Sequence, residues 1–268
     1  AGYGNAVSVT LTDITSTSGS TAAGGATAIS GTAAGIENLV GGSNTSDTVT
    51  DSTGDSTIVI SGANSGTIDG MAFSAIENLS LSTGVDGVTV QSGGSLSGNL
   101  DLGDGTSNTL VMNSGAGAIG SVIAAGGNDT FTINGGTVTG AVNLGDGANS
   151  LTINNTASTI GSYTGGSGID TIDSQGGDIL GSVSTGSAAD SLTLTLGASI
   201  TGAVTLGANS DSSDGNDSLS LNASSITGSV NTGSGADGAS ITNASTLTGD
   251  LTLGVNSDSA DGADSLTV

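Results

Sequence analysis

The residues in this chain that could do chemistry are aspartates in glycine-rich turns. Two stretches read NSDSSDGND, Asn209 to Asp217, and NSDSADGAD, Asn256 to Asp264. Oxygen donors stand at positions 1, 3, 6 and 9: Asn209, Asp211, Asp214 and Asp217 in the first, Asn256, Asp258, Asp261 and Asp264 in the second. Gly215 and Gly262 take position 7. This spacing suits calcium, a hard cation that takes carboxylate and carbonyl oxygens, although it is not the twelve-residue EF-hand pattern. The competing reading is a solvated acidic loop. A third stretch, GGSGIDTID, Gly165 to Asp173, fits the nonapeptide pattern GGxGxDxUx, whose turn holds calcium and whose end starts a strand.

Asp170 closes that turn, and the same slot recurs as Asn108, Asp129, Asn149, Asp190, Asp217, Asp237 and Asp264. Carboxylates stacked about 5 Å apart repel by roughly 3 kcal/mol per pair at an effective dielectric near 20, and by under about 1 kcal/mol in water. Calcium between repeats would relieve this, which makes Asp170, Asp190 and Asp237 further candidate ligands. The alternative is that exposed Asp and Asn cap the amides of their own turns. Both readings stand at this point.

Most other chemistry is excluded by composition. The 268 residues contain no Lys, Arg, His, Cys, Pro or Trp, and 24 acidic residues leave a formal charge of −24. Only Glu37 and Glu77 are glutamate. Enzymes built on β-helices, such as pectinases and polysaccharide lyases, set Asp against Lys, Arg or His to stabilise developing charge. None is available here, so no enzyme is expected. Nucleic acid and anionic membranes need cationic partners, so neither is expected. No apolar run approaches the roughly 20 residues of a membrane helix. Glycine-rich strings abound, but no Lys follows to make a phosphate loop. The Asn-x-Ser/Thr sequons are what this composition gives by chance. The chain starts at Ala1 without Met, which suggests a processed product or a piece of something longer.

The elements that must position the aspartates come from an internal repeat. A segment of form apolar-x-Gly-x-Val recurs, with shared glycines at 98, 120, 140, 161, 181, 202, 228 and 249, spaced 22, 20, 21, 20, 21, 26 and 21 apart. In step with it runs Asp or Asn, a small residue, then an apolar-polar-apolar triplet, as in Asp129-Thr-Phe-Thr-Ile and Asp190-Ser-Leu-Thr-Leu. Strict alternation over so few residues marks half-buried strands. Each repeat therefore holds two short strands and two glycine-rich corners. Disorder is the alternative for so much Gly, Ser, Thr and Asp, but 34% apolar residues placed with a period argue against it.

One such unit cannot bury anything alone, whereas stacked units can. The expected fold is all-β, a β-solenoid of the β-helix or β-roll kind with about 20–21 residues per repeat. Its apolar columns are Leu110, Phe131, Leu151, Ile172, Leu192 and Leu219, and Val122, Val142, Val183, Val204 and Val230. Gly140 and its equivalents are expected where a corner needs φ > 0 or where opposite walls approach closely. With no linker or composition break, residues 1–268 read as one domain. Repeats within 98–268 are regular. Those within 1–97 are less so and carry two Ile-Glu-Asn-Leu units, at 36–39 and 76–79, each preceded by a glycine segment, Ile29-Ser-Gly-Thr-Ala or Ile68-Asp-Gly-Met-Ala.

The chain resembles the β-strand-repeat regions of large secreted bacterial proteins: RTX-type surface proteins, S-layer proteins and autotransporter-like adhesins. GGSGIDTID carries the RTX likeness, and the Ile-Glu-Asn-Leu units with the regular repeats carry the adhesin likeness. The repeat departs from the nine-residue RTX period and puts an acidic turn on one side only. The resemblance implies export, folding outside the cell where calcium is abundant, and a structural or adhesive role. A fibre, sheath or S-layer element is the first expectation. It would self-associate end to end or laterally, because the chain stops at Ser265-Leu-Thr-Val, part-way through a repeat, so either it continues or another subunit pairs there. The alternative is an adhesin stalk or an ice- or glycan-binding module. Outward Thr132, Thr152, Thr193 and Ser220 could form a hydroxyl face for it, unless they are ordinary strand surface.

Overall fold

The structure, a computed structural model, describes residues 6, 8–11, 38–52, 54–207, 213–254 and 262–268. Every regular element among them is a strand, and the strands form two long sheets, one of fifteen strands and one of thirteen. From Gly87 onward the chain visits the two sheets in turn. Gly87–Val90 is in the second sheet, Leu96–Asp101 in the first, Thr109–Met112 in the second and Ala118–Ile123 in the first. Each strand pairs in parallel with the one a full repeat away. The short alternating segments therefore find backbone partners only in the neighbouring repeats. That use of every N–H fits the absence of proline.

Side-chain alternation then decides what is inside. In the second sheet Leu110 lies in register with Phe131, then Leu151, Ile172, Leu192 and Leu219. In the first, Val122 lies beside Val142, and Val183 beside Val204 and Val230; Tyr163 fills the place between Val142 and Val183. All of these are buried. Both expected columns are present, and each continues beyond the expected residues, to Val88 in one and Leu100 in the other.

The glycine column behaves differently from expectation. Gly98, Gly120, Gly140 and their equivalents do not adopt positive φ, and they meet no opposite wall. They touch one another along the stack: a Cβ on Gly161 would lie 2.4 Å from the carbonyl oxygen of Gly140, and one on Gly228 2.2 Å from that of Gly202. At this column the pairing register shifts, for example between Ile119 and Val122, so the strand bends there. In later repeats the bend separates two short strands, Asp178–Ile179 and Val183–Ser184, joined to the same sheet. The sequence pattern implied two strands per repeat. These repeats have three, because the bend at glycine breaks the first.

The N-terminal region contains a second departure. Ile68-Asp-Gly-Met-Ala is not a copy of the glycine bend. Thr57–Gly62, Ser65–Ile68 and Met71–Ser74 form an antiparallel meander in the second sheet, pairing Ile58 with Ile68 and Ile68 with Met71. Asp69 (φ 48°) and Gly70 (φ 84°) make its second turn, which needs two left-handed residues; Asp-Gly is a favoured pair for that. The first glycine segment, Ile29-Ser-Gly-Thr-Ala, lies outside the described residues, as do Ile36 and Glu37 of the first Ile-Glu-Asn-Leu unit.

In the second unit Ile76 and Leu79 point inward, and Glu77 is buried with them. The Glu77 carboxylate accepts the Asp47 amide at 3.0 Å and the Asn64 side-chain amide at 2.9 Å. Asn64 Oδ1 in turn accepts the Ser97 amide at 2.8 Å. The motif thus ties the meander to the first sheet.

Candidate functional site

The recurring Asp/Asn slot lies just before each strand of the second sheet. A strand's first carbonyl can bond to the next repeat, but the amide of the residue before it has no strand carbonyl to meet. The side chain of the next repeat supplies one. Asp86 N–H donates to Asn108 Oδ1 (3.1 Å), Asn108 to Asp129 (2.7 Å), Asp129 to Asn149 (3.0 Å) and Asn149 to Asp170 (3.2 Å). Asp170 N–H donates to Asp190 Oδ1 (2.7 Å), Asp190 to Asp217 (2.7 Å), Asp217 to Asp237 (2.9 Å) and Asp237 to Asp264 (3.0 Å). Ser56 starts the column by donating to Asp86 at 2.8 Å. The column survives both long insertions: partners 27 residues apart pair as well as those 20 or 21 apart. A short side-chain acceptor is required here, which explains the restriction to Asp and Asn.

These side chains are not exposed caps of their own turns. From Asp86 to Asp237 they are at most 2% exposed, and each caps an amide of the preceding repeat. The physical reason is that the slot precedes the first inward apolar residue by two positions, which puts it on the inward side of the pleat.

Burial and the absence of cations fix the electrostatics. Asp217 is pushed up to about 8, first by loss of solvation and then by Asp214, Asp190 and Asp237. Asp170 is pushed up to about 7 by loss of solvation, although the Tyr163 hydroxyl donates to its Oδ2 at 3.0 Å and the Asn149 amide to its Oδ1. Asp190 and Asp86 are each pushed up to about 6, again chiefly by burial. Asp129 is raised for the same reason. Outside the column the exposed Asp146 goes the other way. Its carboxylate is held low by the amide and hydroxyl of Ser167, at 2.7 and 2.9 Å.

Of the candidate calcium ligands, Asp170, Asp190, Asp217 and Asp237 are members of the buried column, and Asp264 is its exposed last member. Asp214 stands beside Asp217 and accepts the Ser234 amide at 2.8 Å. Asn209, Asp211, Asn256, Asp258 and Asp261 lie outside the described residues. Among the described residues no three acidic side chains gather into one cluster.

Three contacts of the column have no signal in the repeat pattern. The Tyr163 hydroxyl holds Asp170, that of Thr232 holds Asp237 Oδ2, and Asn149 Nδ2 donates to the carbonyls of Gly145 (2.9 Å) and Gly147 (3.2 Å) in its own turn. Only knowing that the slot faces inward would have led to them.

Comparison of the chain with family models, curated proteins and solved structures finds no match.

Proposed function

We propose that this chain is a β-solenoid of about 20–21 residues per coil that serves as a structural repeat protein outside the cell, in a fibre, sheath or S-layer. The observation that carries the reading is the unbroken register: apolar columns and a hydrogen-bonded Asp/Asn column run through the regular repeats. Stability of such a stack is a sum of repeat and neighbour terms, which suits a load-bearing element.

Calcium is part of this proposal. The Oδ2 atom of Asp217 is buried without a partner beside Asp214, and the chain offers no cation of its own. Asp214 and Asp217, with Asn209 and Asp211, would hold one ion; Asn256, Asp258, Asp261 and Asp264 would hold a second. The bound ion would supply positive charge that joins neighbouring acidic turns.

A second reading, an adhesin stalk or an ice- or glycan-binding module, is favoured by one observation. Thr130, Ser150, Thr171 and Ser191 occupy one outward column of the second sheet, and Thr132, Thr152 and Thr193 an adjacent one that Asp173 interrupts.

Electron microscopy of EDTA-treated protein before and after adding millimolar calcium tests both parts. Filaments or lattices, with a melting temperature that rises with calcium, are expected. Isolated rods would favour the stalk reading, and a melting temperature indifferent to calcium would remove the metal from the account.

A further inference from the structure

We propose that Asp129 is carried in the folded protein as a neutral acid whose Oδ2–H donates to a carbonyl of its own turn, taking the part that an asparagine amide plays in the next repeat. The comparison is internal. Asn149, one layer away, uses Oδ1 to accept the amide of Asp129 and Nδ2 to donate to the carbonyls of Gly145 and Gly147. Asp129 uses Oδ1 in the same way, for the amide of Asn108. Its Oδ2 is buried without a partner, as is Nδ2 of Asn108 in the layer on the other side. The two turns stack closely, with a Cβ on Gly145 falling 2.2 Å from the oxygen of Ala125 and one on Gly147 close above the oxygen of Gly127. The carbonyls equivalent to those of Gly145 and Gly147 are therefore those of Ala125 and Gly127.

An ionised carboxylate there would leave its second oxygen without a donor, in a site closed to water. A protonated one makes the hydrogen bond that the amide makes. No charged neighbour alters this. The column members on either side are Asn108 and Asn149, neither of which titrates, the phenol of Tyr163 is the titratable group on the facing sheet, and the chain has no cation. Burial raises the carboxyl above its ordinary value, outweighing the backbone amide and side chain of Asn108, which act to lower it.

The sign of the consequence follows. The unfolded chain releases this proton near pH 4, whereas the folded chain keeps it to higher pH. The contribution of Asp129 is therefore complete below about pH 4 and is lost as pH rises through the folded value. Proton release at this position weakens the corner between three successive repeats, which makes it an acid-closed latch.

The test is thermal melting of the full chain in EDTA at pH 4 and pH 8, comparing wild type with Asp129→Asn and Asp129→Ala. Asp129→Asn keeps the Oδ1 acceptor and makes the donor permanent. It should melt with wild type at pH 4 and about 2–4 °C above it at pH 8. Asp129→Ala loses the acceptor and should melt below wild type at both. A carbon-13 titration of the wild-type carboxyls, with the Asp129 signal assigned by its loss in Asp129→Asn, should show a midpoint well above 4. The proposal is overturned if that midpoint is ordinary, or if Asp129→Asn gains nothing over wild type at pH 8. It is equally overturned if calcium alone removes the wild-type deficit at pH 8.

Discussion

Phe131→Ala is expected to destabilise the protein by about 3–5 kcal/mol, the cost of emptying a buried aromatic site. Phe131 is the largest side chain of its column, is 1% exposed, and lies in register between Leu110 and Leu151. Parallel pairing on both sides pins the backbone, so the neighbouring repeats cannot close the space without giving up their own hydrogen bonds. The cost should fall at the upper end for that reason. Thr132→Ala, one residue on and facing outward, should stay within about 0.5 kcal/mol. Urea unfolding of the two variants checks the contrast; equal effects would mean that the pleat does not separate an inside from an outside here.

Gly228→Val should cost about 3 kcal/mol or more, because the added Cβ would meet backbone rather than a movable side chain. It would lie 2.2 Å from the Gly202 carbonyl oxygen, and Gly249 packs on Gly228 from the other side. Two layers would have to part, or the bend would have to open and turn Ile226 and Val230 away from the core. Gly87 is the control. It has open space around its Cβ position and pairs with Thr57 and Thr109 in a strand. Gly87→Thr should be neutral or gain up to about 1 kcal/mol, since glycine weakens a strand interior. Melting temperatures of the pair decide it. Glycine would then be demanded position by position, by close packing as at the bend column or by a left-handed turn as at Gly70, and not by content as such.

Sequence periodicity carried the architecture further than the chemistry. Leu110 through Leu219 align in the sequence because a two-residue alternation has one inward phase, and stacking repeats must bring those phases together. The Asp/Asn slot was equally visible as a column. Its direction was not, since a polar residue at a strand start ordinarily faces water, and nothing in the letters says that the amide of the neighbouring repeat lacks a partner. Asp69-Gly70 was misread for a related reason. The string apolar-x-Gly-x-apolar serves both the bend within a strand and a two-residue hairpin turn, and only the left-handed pair at 69 and 70 separates them. The bond from the Tyr163 hydroxyl to Asp170 crosses from one sheet to the other, and no local spacing encodes that.

Distances between spin labels along one outward column test the stack most directly, and a chain without native cysteine makes the labelling clean. With one label at Thr89→Cys and the other at Thr152→Cys, Thr193→Cys or Ser240→Cys, the partners lie three, five and seven layers away. The account predicts separations of roughly 14, 24 and 34 Å, rising by the same step per repeat. Separations that fail to grow with the number of intervening repeats would contradict it.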